Sequence, residues 1–133
     1  MKYIYPATIQ QEIEGGFSIW FDDLPGCATQ GETLAEALDY GRDALGGWLD
    51  TTISLGRDVP TPSGSKSIAL TPNQQVTLID VDLDAYRAEN DMRSVNRMVT
   101  LPAWLNTRVK KAGINVSQVL QEALCAKLNV AHP

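Results

Sequence analysis

Phe17-Ser18-Ile19-Trp20-Phe21-Asp22-Asp23-Leu24-Pro25-Gly26-Cys27-Ala28-Thr29-Gln30-Gly31, followed almost at once by Thr33-Leu34-Ala35-Glu36-Ala37-Leu38, decides the fold of this chain. Residues 17–21 alternate apolar and polar side chains, the period of a half-buried strand. Leu24-Pro25-Gly26 is a turn by its Pro-Gly pair. Residues 27–31 are long enough for a short further strand. Thr33, with Glu36 three residues on, is a capping box, the start signal of a helix. Strand, turn, strand and capped helix in so short a span describe a small sheet with a helix laid on it.

The neighbouring residues extend the pattern in both directions. Tyr3-Ile4-Tyr5-Pro6-Ala7-Thr8-Ile9 mixes β-branched and aromatic residues and reads as a strand. With the Gly15-Gly16 turn it makes a hairpin to residues 17–21. Beyond Thr33, apolar residues recur at Leu34, Ala37, Leu38, Leu45, Trp48, Leu49 and Thr52/Ile53, close to the helical period. Glu36, Asp39, Arg42, Asp43 and Asp50 form the polar face. Gly46 and Gly47 cost the helix about 1 kcal/mol each relative to alanine; close packing of helix on sheet accounts for them. Gly56 is the expected stop. Residues 57–67, rich in Pro, Ser and Gly, are a loop. Residues 76–83 form a dense strand, and Asp84 caps a short helix running toward Met92.

With 133 residues, 44% hydrophobic and 20% charged, the chain has room for one domain, or one domain and a mini-domain. Cys27 and Cys125 are too few for a disulfide scaffold, which points to a reducing compartment. No apolar run approaches the roughly 20 residues of a membrane span, and the N-terminus has no signal-peptide core. The expected location is the cytoplasm, without a membrane partner. The single histidine, His132, argues against histidine catalysis and against a multi-histidine metal site.

The net charge of −5 argues against nucleic acid until it is divided along the chain. Residues 1–84 hold thirteen acids against four bases, a net of −9; residues 85–133 hold seven bases against three acids, a net of +4. The basic part opens with Val95-Asn96-Arg97-Met98-Val99-Thr100-Leu101-Pro102, a strand stopped by proline. A helix over 103–112 follows, ended by Gly113. Asn115, with Gln118 three residues on, caps a second helix whose apolar stripe is Val116, Val119, Leu120, Ala123, Leu124 and Leu128. A strand-helix-helix unit this small cannot bury a sufficient core alone. Pairing its lone strand with a copy of itself is the economical solution.

A two-stranded antiparallel ribbon fits the major groove of DNA. Val99 and Leu101 are apolar and face inward; Asn96, Met98 and Thr100 then face outward toward base edges. Arg97 has the inward parity, which places it either at a frayed strand start or reaching round to phosphate. Asn115 and Ser117, at the N-terminus of the second helix, offer backbone N–H groups to a phosphate. The alternative is a protein-only dimerisation tail whose basic residues are a solvated face.

Met98-Val99-Thr100-Leu101-Pro102 and Gly113-Ile114-Asn115-Val116-Ser117-Gln118-Val119-Leu120 resemble the ribbon-helix-helix repressors. The segments Tyr5-Pro6-Ala7, Gly16 through Gly31, Thr33-Leu34-Ala35-Glu36-Ala37-Leu38 and Val59-Pro60-Thr61-Pro62-Ser63 resemble the HicB antitoxins. One departure is Met98, at a base-facing position where such repressors usually carry a polar residue. The resemblance implies an α+β fold: a small antiparallel-rich sheet with one packed helix, partial ribonuclease-H-like, over 1–84. A linker at 85–93 and a ribbon-helix-helix dimerisation and DNA-binding domain at 94–133 complete the expected organisation.

The resemblance also implies a function: neutralising a HicA-like ribonuclease toxin by protein–protein binding and repressing its own operon through operator double-stranded DNA. The expected assembly is a homodimer through the C-terminal strand, with a tetramer or a hetero-oligomer with toxin left open. No cofactor and no catalytic residue are expected. The expected DNA-binding residues are Asn96, Arg97, Met98, Thr100, Asn115 and Ser117. A basic partner would be drawn to the acidic half, with Asp22, Asp23, Glu32 and Glu36 as candidate contacts; each alone is equally an ordinary surface charge.

Two other readings stay open at this point. One is a stand-alone ribbon-helix-helix regulator with a ligand-sensing N-terminal domain. The other is a divalent-metal nuclease using Asp22, Asp23 and Asp80, or the alternating Asp80, Asp82 and Asp84. Cys27, with no histidine near it, reads as a packed residue rather than a nucleophile. Trp20, Trp48 and Trp104 read as core or interface anchors.

Overall fold

A computed structural model describes residues 1–64 and 70–131, so Lys66, the end of the expected loop and His132 lie outside the described residues. The element order is β1 (Lys2–Gln11), β2 (Phe17–Trp20), β3 (Ala28–Gly31), α1 (Leu34–Ser54), β4 (Gln74–Asp82), α2 (Leu83–Glu89), α3 (Ala103–Ala112) and α4 (Val116–Leu128). The chain divides into two compact units, Met1–Met92 and Arg93–Pro133. Among the described residues, no helix is long and apolar enough to cross a membrane.

In the first unit the strands form one antiparallel sheet in the order β3-β2-β1-β4. Alternation along the strands gives the sheet two unlike faces. Tyr5, Ala7 and Ile9 of β1, Ile19 of β2, and Ile79 and Val81 of β4 are buried with Leu45 and Leu49 of α1. Each such aliphatic side chain removed from water contributes about 1.5–3 kcal/mol. On the opposite face Ile4 and Leu78 are 48% and 66% exposed, whereas Pro6 and Thr8 of that face are buried, so β1 is covered on both sides over residues 5–9. The α+β architecture read from the sequence is the one observed.

Pro6 sits inside the central strand, where a missing N–H usually breaks a ladder. The register explains why it is tolerated. Pairing with β2 begins at Thr8, opposite Trp20. The bonds from Leu83 N to Met1 O and from Gln11 N to Asn73 O set the β1–β4 ladder so that Tyr5 and Ala7 bond β4. Pro6 therefore points toward β2 where β2 has already ended, and no ladder bond is lost.

Thr33 caps α1 as expected, its hydroxyl accepting from Glu36 N at 3.1 Å. The Glu36 carboxylate accepts from the backbone of Glu32 rather than of Thr33. The helix ends at Ser54, with Gly56 just past it at φ +72°. The glycines of α1 correct one expectation. Gly41, not Gly46, meets the sheet, against Ile19 and Ile79. Gly46 and Gly47 receive Tyr86 of α2; a Cβ on Gly46 would lie 2.4 Å from the Tyr86 ring. The glycine pair is thus a helix–helix notch, and residues 85–89 of the expected linker are helix packed on α1. The cap of α2 is Asp82, two residues before Asp84; it accepts from the N–H groups of Asp84 and Ala85.

In the second unit α3 ends at Gly113 in the left-handed conformation, and Asn115 caps α4 through Gln118 N at 3.1 Å. Neither helix buries a single residue. Residues 93–102 have no strand partner and no regular structure, so the strand expected at 95–102 is absent from the single chain. A strand exists only as part of a ladder, and no described element of this unit offers one.

Candidate functional site

Each unit carries its own candidate surface. In the second, Val99, Leu101, Leu105, Val109, Val119 and Leu120 line an apolar cleft of about 540 Å³, with Thr100 at its margin. Both helices turn their stripes into this cleft and neither stripe is covered. Val99 and Leu101 are 48% and 38% exposed, against 97% for Met98 on the opposite parity. Asn96 and Arg97 are exposed as well. Val99 and Leu101 border the cleft, but so does Thr100 of the expected outward set, while Val95 and Arg97 of the inward parity are exposed. Ser117 is exposed in the first turn of α4, whereas the Asn115 carboxamide is engaged in capping. Trp104 is 62% exposed, with the Arg108 guanidinium 5.6 Å from its ring.

In the first unit the four acidic candidates fall into two separate places. Phe21 N donates to Cys27 O and Cys27 N to Leu24 O, closing the turn around the fully buried Leu24. From this turn Asp22 accepts from the buried Thr8 hydroxyl at 2.9 Å, and Asp23 accepts from Ser63 N at 2.9 Å. Glu32 and Glu36 stand at the start of α1, where they share a shallow cavity of about 370 Å³ with Glu12. No described bond or cavity joins the two places. Three of the four carboxylates also serve the fold: Asp22 holds β1, Asp23 holds the 60s loop and Glu36 holds the helix start.

Sequence reasoning did not single out Tyr86 or Glu89. Seated in the glycine notch, the Tyr86 ring divides two grooves along α1. One, of about 690 Å³, runs past Trp48 and the Pro25–Cys27 turn; the other, of about 380 Å³, is edged by Asp39, Asp43, Asp82 and Glu89 around Arg42. Burial, then Asp43 and Asp50, raise the Tyr86 pKa above the usual phenol value. The unexplained Gly46-Gly47 pair was the available signal, because two small residues mid-helix imply a bulky neighbour.

The expected metal arrangements have a different use here. Asp80 pairs with Lys2 at 3.4 Å and Arg42 at 3.5 Å, Lys2 chiefly lowering its pKa. Asp82 is held low by the Ala85 N–H. Asp84 is on a helix, so the three do not alternate along one strand. Among the described residues, no three His, Cys, Asp or Glu side chains are grouped to hold a metal ion. Cys27 is 4% exposed and burial pushes its thiol up to about 11, so it is a packed, protonated side chain. Trp48 anchors the turn, its indole donating to Pro25 O at 3.0 Å.

Residues 5–125 match the family described as HicB-like antitoxin of bacterial toxin-antitoxin systems. Antitoxin HicB of Escherichia coli K12 is 41% identical over 59 residues, which span 44% of this chain and 43% of that one. Antitoxin HicB 1 of Photorhabdus laumondii is 29% identical over 98 residues, 71% and 62% of the two chains. The matched parts are thus less than two thirds of these relatives' lengths. Among solved structures, a chain of a toxin-antitoxin complex from Streptococcus pneumoniae superposes with a TM-score of 0.61 at 25% identity, over 96% of this chain and 99% of that one. The N-terminal domain of Burkholderia pseudomallei antitoxin HicB superposes at 0.51 and 28% identity, covering 61% of this chain and all of that one.

Proposed function

The chain belongs to the family of HicB-like antitoxins of bacterial toxin-antitoxin systems, and from that membership we propose that it is a type II antitoxin and autorepressor. It captures a basic, RNA-cleaving HicA-like toxin with its first unit and binds operator DNA with its second. It acts in the cytoplasm, as a binding protein rather than an enzyme. The observation that carries this reading is the family match, which runs through both units without a break. The acidic first unit supports the toxin half: an RNA-cleaving partner needs positive charge for phosphate, and a net of −9 over residues 1–84 attracts it at long range.

The uncovered cleft of the second unit supports the DNA half. A second copy laid on it covers Val119 and Leu120 and lets the two 95–101 segments pair as a ribbon. That pairing leaves Asn96, Met98 and Thr100 outward, with Arg97 and Ser117 placed toward phosphate. The direct test uses the full chain and the basic protein encoded beside it. We expect the chain to stop that protein's cleavage of RNA and to retard DNA carrying its own promoter. Undiminished cleavage in the presence of excess chain refutes the toxin half. Promoter and unrelated DNA retarded alike refutes the operator half.

A further inference from the structure

We propose that one flank of α3, the line Trp104–Arg108–Lys111, is a second DNA contact, which grips backbone phosphates and adds affinity without reading sequence. The inference rests on the reading that the second unit binds DNA. Three residues at i, i+4 and i+7 share one side of a helix. Leu105 and Val109 turn into the apolar cleft, so this line runs along the helix beside the cleft and is not covered by it. Trp104 is 62% exposed, and Arg108 and Lys111 are exposed as well. Lys110 lies on the other flank of α3.

The charge on this helix is uncompensated. Of the helices among the described residues, α3 alone has no acidic residue. Residues 93–133 hold six bases against one acid, and α3 carries three of the six. Among the described residues, none of Arg108, Lys110 and Lys111 takes part in an ion pair. Lys110 and Lys111 stand in the last turn, where the helix dipole favours a cation. Arg108 is one turn too early for that benefit. Its guanidinium lies 5.6 Å from the Trp104 ring instead. The ring is a platform that limits the wandering of a long side chain, so less freedom is lost when the guanidinium meets an anion.

Charge and position select the occupant. A row of cations with no acid among them complements a regular polyanion. From Trp104 to Lys111 the helix rises about 10 Å, the axial rise of about three nucleotides of one DNA strand. Trp104 stands two residues after Pro102, which ends the segment proposed to enter the major groove. Lys111 stands two residues before Gly113, the turn into α4, whose start is proposed to face phosphate. The line therefore joins the two proposed DNA contacts and belongs to the same duplex. The bond it makes is an N–H donor on a phosphate oxygen, from the Arg108 guanidinium and the Lys111 ammonium. Such contacts fix position and add affinity but carry no base information.

The test is gel-shift titration of the full chain at several salt concentrations, on its own promoter and on unrelated DNA. A dimer carries two copies of the line, so Arg108→Gln and Lys111→Gln should each flatten the slope of log affinity against log salt by about 2. Both DNAs should lose affinity alike, and the sedimentation mass should not change. Lys110→Gln should leave the slope near that of the unaltered chain. Trp104→Ala should weaken binding and Trp104→Phe, which keeps the platform, should recover most of it. Neutral methylphosphonates placed singly along the promoter should weaken the unaltered chain at one or more positions where Arg108→Gln is indifferent. An unchanged slope in both Arg108→Gln and Lys111→Gln overturns the proposal, as does an equal loss in Lys110→Gln or a loss confined to the promoter. A changed mass with unchanged DNA affinity also overturns it, and assigns the line to an acidic protein surface. In each of these cases the unaltered chain still retards its promoter; if it retards no DNA, the operator reading itself fails and this inference fails with it.

Discussion

A methyl group added at Gly31 would lie 2.5 Å from the backbone nitrogen of Ala37 and 2.9 Å from its Cα. Backbone inside a capped helix cannot yield, so Gly31→Ala should separate β3 from α1. We expect a loss of about 1–3 kcal/mol, read as a lowered denaturation midpoint. Gly46→Ala meets a side chain instead, and the alanine returns up to about 1 kcal/mol of helix propensity. Its net cost should be smaller, and its mark should be local: faster amide exchange in α2 as Tyr86 leaves the notch. If Gly46→Ala unfolds the whole unit as readily as Gly31→Ala, the notch is not the hinge of α2. Thr8 offers a polar counterpart. It is 1% exposed and donates to Asp22, so Thr8→Val keeps the shape and deletes a bond to a charged acceptor. A loss of about 1.5–3 kcal/mol is expected, checked by urea denaturation.

The junction of β4 and α2 titrates as an element. Asp80 and Asp82 both have pKa values below the ordinary 3.8, the first chiefly through Lys2 and the second through the Ala85 N–H. Because the folded state binds these protons less readily than the unfolded state, their contribution is present above pH 3.8. It is lost as pH falls through the lowered folded values. Amides of α2 should therefore open on acidification below about pH 4 before the central sheet does; an α2 that outlasts β1 would contradict this. Much of the element pattern was legible. Alternation gave β2, the Thr33–Glu36 pair gave the start of α1, and Asn115 gave that of α4, because these signals are local. What was not legible depended on contacts distant in sequence. The seat of Tyr86 requires knowing that α2 folds back on α1, and Asp82 caps because the helix starts two residues earlier than a cap at Asp84 implied. The 95–101 strand has the right alternation but no ladder within the chain, and the acidic residues were visible without the turn and cap bonds that Asp22, Asp23 and Glu36 make.

For the whole molecule, the division of charge predicts separable functions. On the proposed function, base contacts and toxin capture draw on different units, so variants in one should spare the other. In the full chain, Asn96→Ala and Thr100→Ala should each weaken operator binding by about 1–3 kcal/mol in gel-shift titrations. Thr100 adjoins the apolar cleft, so an unchanged sedimentation mass is needed to assign its effect to DNA rather than to dimerisation. Neither change should alter inhibition of the toxin's RNA cleavage. Conversely, Asp39→Asn with Glu89→Gln removes two charges from the groove beside Tyr86 and should slow toxin association while leaving operator binding intact. That effect should shrink with added salt, because charge steering fades beyond about 10 Å at 0.1 M ionic strength. Stopped-flow mixing at two salt concentrations reads it directly. An association rate independent of both salt and the two substitutions would mean that the acidic half is solubilising surface and that apolar contacts govern capture. Loss of operator binding in the acidic variant would mean that the two units do not act independently.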